Sequence, residues 1–307
     1  MTILESATKR VAASFRRRLR SSYAVPVLCY HALHARGTSY GENDHTALEE
    51  DLRVIGRAGF RVLPLTALVD TLTGMSTVEL AESRFVCLTF DDGPDVDYVD
   101  YTDSRLGLVK SFRRILAESR ERGAMACSGP MAVSFVIASR GARTILDRAC
   151  IAGRGDWRDS WWSECSRDGT IAIGNHSWDH VHPSLPSVEQ RDQLKGSFFG
   201  IDNARDADIQ IRVSRESIEQ VLGHASTRLF AYPFGEAPSY LVHEYFPKRR
   251  LQHGHHAAFT TGGAPVTRES NRWAIPRYVC GSHWRSPDEL EALLQGTRAR
   301  SFHALAS

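Results

Sequence analysis

Short apolar, β-rich runs alternate with amphipathic stretches along almost the whole chain. This alternation limits the fold more than any other feature. Residues 24–30, 84–90, 131–137, 170–174, 228–232, 257–261 and 275–279 read as strands, with 61–63 as a shorter one. Over 46–57 the apolar residues Leu48, Leu52 and Ile55 recur at helical spacing, and Gly59 reads as the stop of that helix. Further helices are expected over 66–73, 108–122, 143–149 and 287–294. Residues 188–222 read as one long helix or a pair broken near Phe199-Gly200. Strands alternating with helices build parallel βαβ units. No internal repeat, low-complexity linker or shift in composition divides the chain, so a single domain is expected. Residues 151–169 depart from the pattern. Trp157, Trp161 and Trp162 stand among polar residues and suggest an inserted loop, either a sugar- or partner-contacting surface or cover for a satellite core.

With 307 residues the chain is long enough for a large core, and its 42% hydrophobic content is that of a globular protein. A net charge of +2 gives no support for general nucleic-acid binding, so no nucleic-acid partner is expected. The six cysteines are widely spaced and contain no CxxC pair. They read as reduced thiols of a cytosolic protein rather than a zinc site or a disulfide framework. No stretch approaches the ~18–20 apolar residues of a membrane helix.

Residues 1–23 form a basic arm, with Lys9, Arg10, Arg16, Arg17, Arg18 and Arg20 opposed by Glu5 alone. Its apolar run, 11–15, is too short for the roughly 7–15-residue core of an export signal. The arm reads either as a solvated terminus or as a segment that touches anionic lipid or a lipid-linked substrate. The expected location is cytoplasmic, or peripheral to the inner face of the membrane. The oligomeric state is left open.

Three strand ends deliver polar residues. Thr89-Phe-Asp-Asp-Gly93 places two adjacent carboxylates after a buried-type strand. They repel unless a cation separates their roles, one ligating and the other free as a base; by itself Asp-Asp-Gly also reads as a turn. His176 and His180 stand four apart and can face one cation, a weak signal when taken alone. Asp179 reads as a support for those ligands or as a solvated surface carboxylate. Phe230-Ala-Tyr-Pro-Phe-Gly235 can expose a backbone N–H to a pocket, as an oxyanion hole requires. One Asp with two His makes an incomplete tetrahedral shell, the pattern of a catalytic metal rather than a structural one.

Taken together and in this order, Thr89-Phe-Asp-Asp-Gly93, His176-Ser-x-x-His180 and Phe230-x-x-Pro-Phe-Gly235 resemble the three main motifs of the polysaccharide deacetylases, the NodB-homology group of carbohydrate esterase family 4. Val25-Pro-Val-Leu-Cys-Tyr-His31, Leu48-x-x-Asp-Leu52, Gly59-Phe60 and Leu65-x-x-Leu68 resemble the branch that includes the poly-N-acetylglucosamine deacetylases. The resemblance implies an α/β fold, a distorted (β/α)7 barrel over residues 24–300. It also implies metal-dependent removal of an N-acetyl group from a sugar in a polysaccharide or glycan precursor.

Carried over by position, Asp92, His176 and His180 would hold a divalent metal. Zinc comes first, with cobalt, nickel and iron compatible with the same ligands. Asp91 would be the general base, the Phe234 backbone N–H the oxyanion donor, and His31 the general acid, with His283 as runner-up. The family usually has Tyr where this chain has Phe234, which a backbone donor tolerates. Many members carry an Arg that holds the base Asp; this chain has Ala231 there, and Arg277 is the candidate substitute. The spacing from Asp91 to His176 is long because of the Trp-rich segment. His253, His255 and His256 could bind metal but read more simply as a loop. Two alternatives stand beside this reading: an amidohydrolase for a small or lipid-linked amide, and a non-catalytic carbohydrate-binding barrel. Intact Asp91, Asp92, His176 and His180 argue against the second.

Overall fold

The computed structural model describes residues 23–306 apart from 77–79, 81–83, 127, 152 and 190–193. The basic arm lies outside the described residues except for Tyr23, which is buried. The strands are β1 (Val27–Tyr30), β2 (Arg61–Val62), β3 (Phe85–Phe90), β4 (Tyr101–Asp103), β5 (Gly107–Val109), β6 (Ala132–Val136), β7 (Ile171–Asn175), β8 (Leu229–Ala231), β9 (Ala257–Phe259) and β10 (Tyr278–Val279). The principal helices are α1 (Asp44–Arg57), α2 (Leu65–Leu72), α3 (Phe112–Glu121), α4 (Arg140–Cys150) and α5 (Trp162–Asp168). They are followed by α6, which runs through Ala204–Ala207, a π-helical Asp208–Val213 and Ser214–Leu222, and by α7 (Pro287–Ala306).

The main sheet is parallel, in the order β10-β1-β3-β6-β7-β8-β9, and β2 pairs with the first two residues of β3. The segment that carries β10 also closes the sheet. Ile275 N–H donates to Ala258 O at 2.9 Å, Thr260 N–H to Ile275 O at 2.7 Å and Arg277 N–H to Thr260 O at 3.1 Å, all on the β9 side. Immediately after Arg277, Tyr278 and Val279 pair with Leu28 and Cys29 of β1. This is the expected seven-stranded barrel, distorted because one short segment serves two neighbours in succession.

Side chains alternate across each strand. The odd positions Val27, Cys87, Val133, Phe135, Leu229, Ala231, Ala257, Phe259 and Ile275 share the barrel interior. The even positions Leu28, Tyr30, Leu88 and Phe90 pack outward with α1 and α3. On β7 the inward positions are Ala172, Gly174 and His176. Gly174 must lack a side chain, because a Cβ there would lie 2.6 Å from the Phe135 ring.

Three local expectations fail. Residues 107–109 form the second strand of an antiparallel hairpin with β4, not helix. Asp103 Oδ1 accepts the N–H groups of Arg105 and Leu106 at its turn, and helix begins only after Ser111 caps it. Residues 195–202 are not helical; Asn203 accepts the Asp206 N–H and starts α6 there. The Trp-rich segment is not all loop, since the seven-residue α5 lies inside it. Trp161 and Trp162 are buried within the same core as Leu28, Leu88 and Phe112, so these two are part of the main core rather than cover for a satellite one.

Candidate active site

The strand alternation brings the polar ends together. Cys29 and His31 continue the inward series of β1, Thr89 and Asp91 that of β3, Gly174 and His176 that of β7, and Ile275 and Arg277 that of the closing segment. By the same alternation Asp92 would turn outward. Its backbone instead adopts φ +76°, in the left-handed region that non-glycine residues avoid. Asp92 Oδ1 therefore lies 3.7 Å from His176 Nε2 and 3.6 Å from His180 Nε2. These gaps are too long for hydrogen bonds. They fit two donors on one cation, since atoms about 2.1 Å from a tetrahedral centre are about 3.4 Å apart. The ligand atoms of Asp92, His176 and His180 all lie within 4.8 Å of one another.

His176 Nδ1–H donates to the Ala231 carbonyl at 2.9 Å. A carbonyl only accepts, so the lone pair of His176 sits on Nε2, toward Asp92. His180 reaches the same point through a strained turn. Ser177, His180 and Val181 have φ of +75°, +63° and +48°. Side chains hold this turn: Ser177 Oγ accepts the His180 N–H at 2.9 Å, and Asp179 accepts from Val181 N–H, Glu189 N–H and Gln210 Nε2–H. Asp179 is thus buried and braces the backbone rather than either imidazole. Gln210 lies in the π-helical part of α6, a distortion that recurs at functional sites. Asn175 ties the start of the turn. Its Oδ1 accepts from Ser177 N–H (2.9 Å) and Ser214 Oγ–H (2.6 Å), and its Nδ2 donates to Ile211 O and His255 Nε2.

That contact decides the reading of the histidine cluster. His253 and His255 are buried, His253 bonds to Phe246 O and accepts the His255 N–H, and burial pushes both imidazoles toward the neutral form. They belong to the core behind the turn.

Asp91 is buried with Arg277, whose two terminal nitrogens reach Oδ1 and Oδ2 at 2.7 Å each. Thr89 Oγ1 and Thr260 O hold the guanidinium from the side. Burial alone would raise the Asp91 pKa. The Arg277 charge outweighs it and holds the carboxyl below the usual range. Arg277 therefore holds Asp91 in this chain, in which position 231 is an alanine.

A His31 ring nitrogen and the Cys29 Sγ lie within 4.8 Å of an Asp91 oxygen. His283 lines the same cleft, but its Nδ1 accepts the Val279 N–H at 2.9 Å. At the third motif Phe234 has φ +57° and an exposed ring that meets His180 edge-on, centroids 4.5 Å apart. Gly235 and Glu236 give their N–H groups to Tyr232 O and Pro233 O, while the Phe234 N–H takes no partner among the described residues.

The sequence did not announce the clamp on the Asp92 loop. Trp157 Nε1–H donates to Asp92 O at 2.9 Å. Arg158 binds the Asp95 carboxylate through Nε and its own N–H, and Asp95 N–H donates to Asp156 O. The Trp-rich segment thus supports the site. Trp157 also lines the cleft, of about 490 Å³, together with His31, Leu33, Ile137, His182 and Phe234. No Lys or Arg is among the described lining residues.

Comparison with known proteins follows this geometry. No curated protein matches the chain at a significant level. Solved structures do. IcaB from Ammonifex degensii is 21% identical at a TM-score of 0.60, over 89% of this chain and 97% of that one. The Streptococcus pyogenes deacetylase PplD, in complex with acetate, is 17% identical at 0.57, over 88% and 98%. The BpsB deacetylase domain from Bordetella bronchiseptica is 17% identical at 0.53, over 84% and 96%. At such identities they establish a shared fold. The polysaccharide deacetylase family profile matches residues 80–245, more than half of the chain and a span that contains all three motifs. The chain therefore belongs to the polysaccharide deacetylases of the NodB-homology group, enzymes that hydrolyse N-acetyl amides of carbohydrates.

Proposed function

We propose that this protein removes the acetyl group from an N-acetylated sugar of a polysaccharide or glycan precursor, with Asp92, His176 and His180 holding a divalent cation. Zinc suits one carboxylate and two imidazoles in a small, incomplete shell. When bound, the cation supplies a Lewis acid that polarises the acetyl carbonyl and acidifies the attacking water. The carrying observation is the buried Asp91–Arg277 pair beside an Asp/His/His cluster. It supports a division of labour between adjacent carboxylates: Asp92 ligates, while Asp91, kept ionised, accepts the proton of the attacking water. The Phe234 N–H donates to the oxygen that gains charge in the tetrahedral intermediate. His31, with a ring nitrogen within 4.8 Å of an Asp91 oxygen, gives a proton to the departing amine. The absence of Lys and Arg from the described lining favours an uncharged sugar over an anionic, pyrophosphate-linked substrate.

Acetate release from N-acetylglucosamine oligosaccharides tests the reading, with and without chelator. Activity that survives chelation refutes the metal's role, and full activity in Asp91→Asn refutes the base. The contact of the basic arm with anionic lipid, at the inner face of the membrane, is a separate proposal. Vesicle flotation with and without residues 1–22 tests it, and equal binding by both forms rejects it.

A further inference from the structure

His182 stands two residues beyond His180, half-buried at the cleft, and no step above uses it. Its Nδ1 accepts the Ser184 N–H at 3.1 Å. A backbone N–H only donates, so Nδ1 carries the lone pair and the neutral ring carries its proton on Nε2. That N–H takes no hydrogen-bond partner among the described residues. The ring is held in place. Its centroid lies 5.7 Å from that of His180 and 6.5 Å from that of Phe234. The backbone beneath it is fixed by Asp179 and by Gly196 N–H, which donates to Val181 O at 2.6 Å. A donor ordered before the ligand arrives loses little entropy on binding. The neighbouring lining at Leu33, Ile137, Trp157 and Phe234 is apolar or aromatic. Such walls suit the C–H faces of a sugar but leave its hydroxyls to few partners.

We propose that His182 is a specificity-determining residue whose Nε2–H binds a hydroxyl oxygen of the sugar that carries the scissile acetamide. This rests on the deacetylase reading above. It assigns the imidazole to substrate rather than to the cation, whose three ligands are already supplied.

The test compares His182→Ala and His182→Gln with wild type for kcat, KM and bound metal, using an N-acetylglucosamine oligosaccharide. Loss of one uncharged hydrogen bond is expected to raise KM about 3- to 10-fold in His182→Ala. Turnover should change little and metal content not at all. The amide of His182→Gln restores a donor and should recover most of the KM. An unchanged KM in His182→Ala overturns the inference, and so does lost metal with collapsed kcat, which would make His182 a ligand. If the wild type binds the oligosaccharide without releasing acetate, the deacetylase reading fails alone, and calorimetric Kd values of the same variants decide on His182. If it neither binds nor cleaves, both fail.

Discussion

Arg277 and Asp91 meet through two parallel N–H···O bonds of 2.7 Å, and neither residue is open to solvent. Removing one partner of a buried pair strands the other charge, at a cost of about 3–5 kcal/mol. Arg277→Ala should lose stability of that order in urea unfolding. It should also leave burial unopposed at Asp91, so the acid limb of the kcat/KM profile moves to higher pH. Arg277→Lys keeps the charge without the fork and should fall between the two. An acid limb that stays put in both variants would separate Arg277 from the base.

Metal removal should act on stability as well as activity. A ligand bound only by the folded state adds RT ln(1 + [L]/Kd), about 2.7 kcal/mol at one hundred times Kd. Chelation should therefore lower Tm and abolish acetate release, with zinc add-back restoring both. In Asp92→Asn the Tm should no longer respond to zinc. A zinc-dependent rise of equal size in that variant would place the cation elsewhere.

Trp157→Phe keeps an aromatic ring in the cleft but removes the indole N–H that holds Asp92 O, along with part of the ring system. Loss of an outer support typically weakens metal affinity about 10- to 100-fold. Competition against a chromophoric chelator measures this. Affinity within twofold of wild type would show that the clamp on Asp95 suffices.

Acid should destabilise the protein through the core histidines. Burial pushes His253 down to about 4 and lowers His255 as well. A histidine with a depressed folded pKa adds stability above its unfolded value of about 6.5, and that stability is lost as pH falls toward the folded value. Tm should therefore decline from about pH 6.5 to 4, and His253→Gln should flatten that slope. An equally steep decline in the variant would assign the effect to other groups.

Much of this site is legible as strand parity. Once residues 84–90 are read as a strand into Asp91, the inward run of Cys87, Thr89 and Asp91 follows, and His31 and His176 obey the same count. Parity fails at Asp92, where a left-handed residue returns a second carboxylate to the inner side. The adjacent carboxylates pointed to one ligand and one base, and only the motif resemblance named Asp92 as the ligand. Contacts across long separations left no local trace: Arg158 and Asp95 lie 63 positions apart. Gln210 looked like one more residue of a helix, because a π-helical turn changes register without changing composition. The hairpin at 101–109 was lost because its second strand is only three residues long and runs into a true helix. Arg277 was nameable because the family pattern leaves a charge unmatched at Ala231.

The segment that closes the barrel also carries Arg277, between the pairing of Ile275 with β9 and that of Tyr278 with β1. A chain that has assembled six strands but not this seam holds its two carboxylates side by side with no guanidinium to keep the base charged. On the proposed reading, the charge of the base therefore depends on the same short segment that closes the barrel.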